Sequence, residues 1–303
     1  MLYSLRRLVL LSSVALAANL IPCFVSAQAQ VVSAQAVPPV NHPAPGNYWY
    51  VKANQTTFQS APVGVQSSMT IERPKVQGQV FGKHHSLAAM YIATANGDTI
   101  VNGVELGWAV APNIYIDEEP HLFAFPVKGG NQQEHCWPDP GSCGWVPAPG
   151  AKHHLGEYLQ PSYGSGAVKY FMILHQSDGN WWVLYDNERI GYFKGEYWGG
   201  TFTSGNITSW YGEVQNPQSS SGDCTAMGNG TYGTQSGAAL IGALGYWTQD
   251  KSGFHETWAQ PTESTRFGNT RFYNMGNHLS ASFFTYGGPG GYVDRFGKVT
   301  TAC

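Results

Sequence analysis

The sequence predicts an all-β protein, a single domain built as an antiparallel β-sandwich of two packed sheets. Three observations carry that expectation. Glycine occurs 37 times in 303 residues and aromatics make up 14%, while charged residues reach only 12%; this balance favours short strands joined by tight turns and excludes a disordered chain. Stretches of alternating apolar and polar residues recur at regular spacing, whereas helical periodicity is scarce. No longer period repeats along the chain, which sets propellers and solenoids aside.

Residues 1–27 carry Arg6 and Arg7, then the apolar run LVLLSSVALAANLIPCFVSA ending in small residues before Gln28. This is the layout of a secretory signal peptide, and Pro22 with the small residues after it argues against a retained anchor. The expectation is a secreted, extracellular protein with no membrane attachment after cleavage, since no other run is long enough to span a bilayer. Residues 28–61, dominated by Ala, Pro, Gln and Val, read as an extended linker or short pro-segment. Within them the cluster Tyr48-Trp49-Tyr50 is suited to docking on the body, residues 62–303.

The body opens with GVQSSMTIERPKV. LAAMYIA and TIVNGVELGWAV follow as a hairpin around Asn96-Gly97, the strongest turn signal in the chain. NIYIDEEPHLFAFPV reads as strand, acidic turn, strand, and residues 169–193 as a three-stranded meander turning at 177–180 and 186–188. GYWTQ, TRFYNMG and SASFFTYGG supply further strands; residues 86–90 and 238–244 are the places where a helical turn is expected.

Two of these strands each present one glutamate among aromatic, glycine and valine residues: Glu105 in VNGVELGWAV and Glu213 in ITSWYGEVQN. An ionised carboxylate facing a core is costly unless it is paired, hydrogen-bonded or protonated, which are also the ways a catalytic carboxylate is tuned. Period-2 alternation puts Glu105, Gly107 and Ala109 on one face, opposite Val104, Leu106, Trp108 and Val110; it puts Glu213 with Ser209 and Tyr211. Small neighbours leave room beside Glu105, and Tyr211 is placed either to donate to a developing oxyanion or to fill the groove.

Other chemistries find less support. The net charge of −3 with no basic run argues against nucleic acid. The nucleophile elbow GxSxG and the zinc motif HExxH are absent, and the pairs His84-His85 and His153-His154, with His255-Glu256, read as surface or loop residues. With Cys23 removed in the signal, Cys136, Cys143, Cys224 and Cys303 remain, and an oxidising compartment favours disulfides over free thiols or zinc. Three pairings are open; Cys136 with Cys143 would close a small loop, and Cys224 with Cys303 would tie down the C-terminus. Paired carboxylates suit an acid peptidase, and with ten tryptophans also a glycosidase or a non-catalytic sandwich that binds glycans or cell-wall polymers.

Specific words separate these readings. NGVELGWAV followed by PNIY, then in order HLFAFPV, the two-cysteine loop EHCWPDPGSCGWV, GNWW, WYGEV, MGNG and YGGPGG, resembles the neprosin domain family of glutamic peptidases over roughly residues 64–303. The resemblance implies a secreted endopeptidase active in acid, with Glu105 and Glu213 as the catalytic pair. Trp108 and Tyr211 are assigned to substrate binding. It further implies protein or peptide substrates, among them proline-rich ones, and no metal or organic cofactor; a monomer is expected. The chain departs from the family in its longer cysteine loop and in Gly191-Tyr192-Phe193-Lys194, where the usual word is Gly-Tyr-Trp-Pro.

Overall fold

The computed structural model describes residues 47–77, 84–97, 99–132, 136–137, 139–216, 222–264, 271–276, 283–293 and 298–301. The expected signal peptide, the first part of the expected linker and Cys303 lie outside the described residues. In chain order the strands begin with β1 (Asn47–Gln55), β2 (Gly64–Thr70), β3 (His85–Asn96), β4 (Thr99–Val110), β5 (His121–Lys128) and β6 (Asn131–Gln132). Next come β7 (Trp145–Pro147), β8 (Val168–His175), β9 (Trp181–Tyr185), β10 (Glu188–Phe193) and β11 (Ile207–Asn216). The last group is β12 (Gly222–Asp223), β13 (Ala239–Asp250), β14 (Gly253–Trp258), β15 (Thr262–Ser264), β16 (Asn274–Met275), β17 (Phe283–Gly287), β18 (Gly291–Val293) and β19 (Val299–Thr300).

Seven strands form one sheet in the order β15-β1-β11-β3-β4-β5-β6, and nine form the second, β16-β17-β13-β2-β8-β9-β10-β7 with β14 beside β13. A small third sheet joins β12, β18 and β19. The ladders that build the two large sheets are antiparallel. Alternation explains how the sheets pack. Ala88, Met90 and Ile92 of β3, Leu106 and Trp108 of β4 and Trp210 of β11 share one core with Val65, Met69, Phe171, Ile173 and Ile241 of the second sheet. Each large apolar side chain buried there stabilises the fold by about 1.5–3 kcal/mol. The core tryptophans also satisfy their indole N–H groups: Trp108 donates to the Thr70 carbonyl at 2.9 Å, Trp210 to Gln66 at 2.9 Å and Trp181 to Phe202 at 2.8 Å.

The turns follow their sequence signals. Gly97 takes φ 57° in the β3–β4 hairpin, and the β9–β10 turn holds Asp186 and Asn187 at φ 49° and 67°, the paired left-handed conformations of a type I′ turn. The meander expected over 169–193 is the adjacent trio β8, β9 and β10.

Three local expectations are corrected. Residues 47–55, expected in the linker, form β1 inside the seven-stranded sheet, because Trp49, Val51 and Ala53 alternate into the core while Tyr50 and Lys52 face the other way. Residues 86–90 and 239–244 are strand, not helical turns; their alanines and leucines are good helix formers overruled by pairing on both sides. The strand expected to open at Asn113 is replaced by the short helix α1 (Pro112–Tyr115), with proline at its first position. Among the described residues no helix is long and apolar enough to cross a membrane.

Candidate active site

The outer face of the seven-stranded sheet carries a second cluster of buried side chains, separate from the sandwich core. Strand register arranges it in three rows. One row runs Tyr50, Glu213, Leu87, Ala109, His121; the next runs Lys52, Tyr211, Ala89, Gly107, Phe123; the third runs Asn54, Ser209, Tyr91, Glu105, Phe125. The two glutamates thus stand at diagonal corners. They lie two strand spacings apart across the sheet, about 10 Å, and four residues apart along it, about 13 Å, before side chains reach inward. Ala89 and Gly107 make a low floor between them. A Cβ at Gly107 would lie 2.0 Å from the Ala88 carbonyl oxygen, so the close approach of β3 and β4 demands glycine here.

Both carboxyl groups are buried, Glu105 at 8% exposure and Glu213 at 3%. Burial first, and then the Glu213 charge, push the Glu105 carboxyl up to about 8, against a hydrogen bond from Tyr211 and the positive charge of Lys52. Tyr211 is itself held well above the usual phenol range, by burial first and then by both glutamates. Glu213 sits in different company. Its Oε1 is 2.7 Å from His85 Nε2, and the Tyr50 hydroxyl, raised by burial and by the Glu213 charge, lies beside it. Glu105 therefore keeps its proton up to about 8, whereas Glu213 has an imidazole nitrogen and a phenol beside it, an asymmetry of surroundings that can divide acid and base roles between them.

A disulfide loop borders this face. Cys136 and Cys143 are bridged, as one of the open pairings required. Between them Trp137 packs 5.3 Å from the His85 ring and 5.1 Å from Phe123, and its indole N–H donates to the Tyr115 hydroxyl at 2.9 Å. Cys224 is also disulfide-bonded; the expected partner, Cys303, lies outside the described residues.

Of the residues singled out by sequence, Glu105, Glu213 and Tyr211 come together on one face. Trp108 does not. It is fully buried on the opposite face of β4, in the sandwich core, with its indole tied to the Thr70 carbonyl, so it is a packing residue and the assignment to substrate binding is corrected. Sequence reasoning missed His85 and Lys52. His84 and His85, read as surface or loop residues, are both 6% exposed, and His85 is the partner of Glu213. The alternation His85, Leu87, Ala89, Tyr91 carries the signal that could have found it, once β3 is known to lie between the two glutamate strands. Lys52 was hidden in the stretch read as linker. Among the described residues no group of three or more His, Cys, Asp or Glu side chains could hold a metal ion.

Comparisons with known proteins bear on this face. Two solved structures are similar over 80% of this chain and 99% of theirs. One is Scytalido-glutamic peptidase with a peptide-based transition state analog, at TM-score 0.41 and 9% identity. The other is SCP-B, a member of the Eqolisin family of peptidases, in a complex with the tripeptide Ala-Ile-His, at TM-score 0.37 and 6% identity. No curated protein matches the sequence. The Neprosin family profile, in contrast, matches residues 82–289, a span that takes in β3, β4 and β11 and with them both glutamates and His85. By that match over more than half its length, the chain belongs to the Neprosin family.

Proposed function

We propose that this protein is a secreted glutamic endopeptidase, in which Glu105 and Glu213 together activate a water molecule against a peptide bond in acid, with proline-rich chains among its substrates. The observation that carries this reading is the diagonal placement of two buried glutamates across a floor of Ala89 and Gly107, one of them held protonated up to about 8. Family membership supports the peptidase reading, and the layout of residues 1–27 supports secretion.

The diagonal gap leaves room for a water and a substrate carbonyl between the carboxyl groups. Glu213, ionised beside His85, takes a proton from the water as its oxygen attacks the carbonyl carbon. Glu105 gives its proton to the carbonyl oxygen, and Tyr211, between the two, supplies a hydroxyl to the developing oxyanion. On collapse of the tetrahedral intermediate one hydroxyl returns its proton to Glu105 as the C=O bond re-forms, and the C–N bond breaks as the proton gained by Glu213 passes to the leaving amine. No bond to the enzyme forms. The single proton of the pair persists until Glu105 ionises, so the rate falls as pH climbs through about 8.

The test is incubation of the protein with a proline-rich protein across the pH range, beside Glu105→Gln and Glu213→Gln. Wild type is expected to cleave, each variant to lose roughly 10²–10⁴-fold of the rate with its fold intact by circular dichroism, and new termini are expected next to proline. Undiminished proteolysis in either variant overturns the pair. A wild type that cleaves nothing at any pH but is retained on polysaccharide overturns the peptidase reading in favour of a glycan binder.

A further inference from the structure

Lys52 has no task in the reaction above, yet its surroundings are built around its charge. It projects from β1 in register with Tyr211 and is only 4% exposed, although lysines at a sheet surface ordinarily extend the ammonium into water. Its Nζ donates to the Tyr91 hydroxyl at 2.8 Å and lies 4.6, 5.4 and 5.9 Å from the ring centroids of Tyr91, Tyr211 and Tyr50. Three aromatic faces around one ammonium form a cation cage. The cage occupies the middle row, between the row of Glu213 and the row of Glu105.

Resting on the glutamate-pair reading, we propose that Lys52 is a positioning residue of that pair: its caged ammonium holds Glu213 ionised beside protonated Glu105 and thereby sets the pH window of hydrolysis. With Lys52 charged, the pair can hold one proton and one negative charge while the buried group as a whole stays neutral. Without it, that state leaves a net negative charge in a desolvated face, and both deprotonations of the pair become harder. Burial lowers the ammonium to about 7, against the pull of Glu213 and then Glu105. The ionisable groups facing it are Tyr50 on its own strand, Tyr211 and Glu213 on β11, Tyr91 on β3 and Glu105 on β4; on its other side the register of β15 pairs Ser264 with it.

The experiment compares kcat/KM against pH for wild type, Lys52→Met and Lys52→Arg on one peptide substrate. Below about 7, where Lys52 is charged, loss of the ammonium is expected to move the acid limb of the profile upward by about one pH unit, so that Lys52→Met loses about tenfold there and recovers at higher pH. Lys52→Arg, which keeps the charge, is expected to keep the wild-type acid limb. A lower rate with an unmoved acid limb in Lys52→Met would make the lysine a structural residue, and a higher rate with an unmoved acid limb would make it a block on the site; both results overturn the proposal. If Lys52→Met does not fold, Lys52→Gln decides the matter through the NMR titration of the Glu213 carboxyl, expected to begin at higher pH than in wild type. Failure of the glutamate-pair reading shows separately, as cleavage that survives in Glu105→Gln or Glu213→Gln.

Discussion

Replacing Glu105 by glutamine removes a proton donor, and the structure says that it also stabilises the fold in a pH-dependent way. In the unfolded chain this carboxyl ionises near its ordinary value of 4.5, and in the folded protein it does so near 8. Between those values the unfolded chain is charged at this position and the fold is not, so stability drops as pH rises. The contribution is whole below 4.5 and lost as pH passes through 8. At pH 7 the accumulated loss is about 3 kcal/mol, and at pH 4 it is close to zero. Glutamine keeps the shape and still accepts from Tyr211, but has nothing to ionise. Thermal melts of wild type and Glu105→Gln should therefore coincide at pH 4 and diverge at pH 7, the variant melting roughly 6–10 °C higher in a domain of this size. Lys52 titrates in both proteins, so the difference between them isolates the carboxyl. A variant that is equally or less stable than wild type at pH 7 would refute the argument that Glu105 is held neutral by burial.

Two further outcomes follow from the placement of single side chains. Trp108→Phe should cost about 2–4 kcal/mol in urea unfolding, from the lost core volume and the stranded Thr70 carbonyl, while KM stays at the wild-type value because the ring faces the sandwich core. His85→Phe should lower kcat by roughly 10–100-fold by stripping Glu213 of its partner, and His85→Gln, which keeps a polar contact, should recover part of that loss; steady-state kinetics on one peptide substrate checks both.

The sandwich was legible because its information is local. Gly97 and the pair Asp186-Asn187 specify their hairpins through left-handed backbone, and the alternation around Glu105 and Glu213 assigns each a face without reference to the rest of the chain. The failures are of two kinds. Trp108 was assigned to substrate by the motif it shares with Glu105, although the odd offset of three residues on a strand had already put the two side chains on opposite faces. Lys52 was read as linker and His85 as a surface or loop residue because nothing in their own neighbourhoods says which strand will lie beside them.

That adjacency is the boundary between sequence and structure in this protein. Sequence alone determined the strand-rich class, the hairpins, the two glutamates and the family words that link them. Only the tertiary structure decided that β3 runs between β4 and β11 and that β1 flanks β11 on the other side. That order places the carboxyls at the corners of one floor, a histidine beside one of them and a caged lysine in the row between. Strand order is a long-range choice, made by how both faces of the whole sheet are buried at once, and no residue carries it individually.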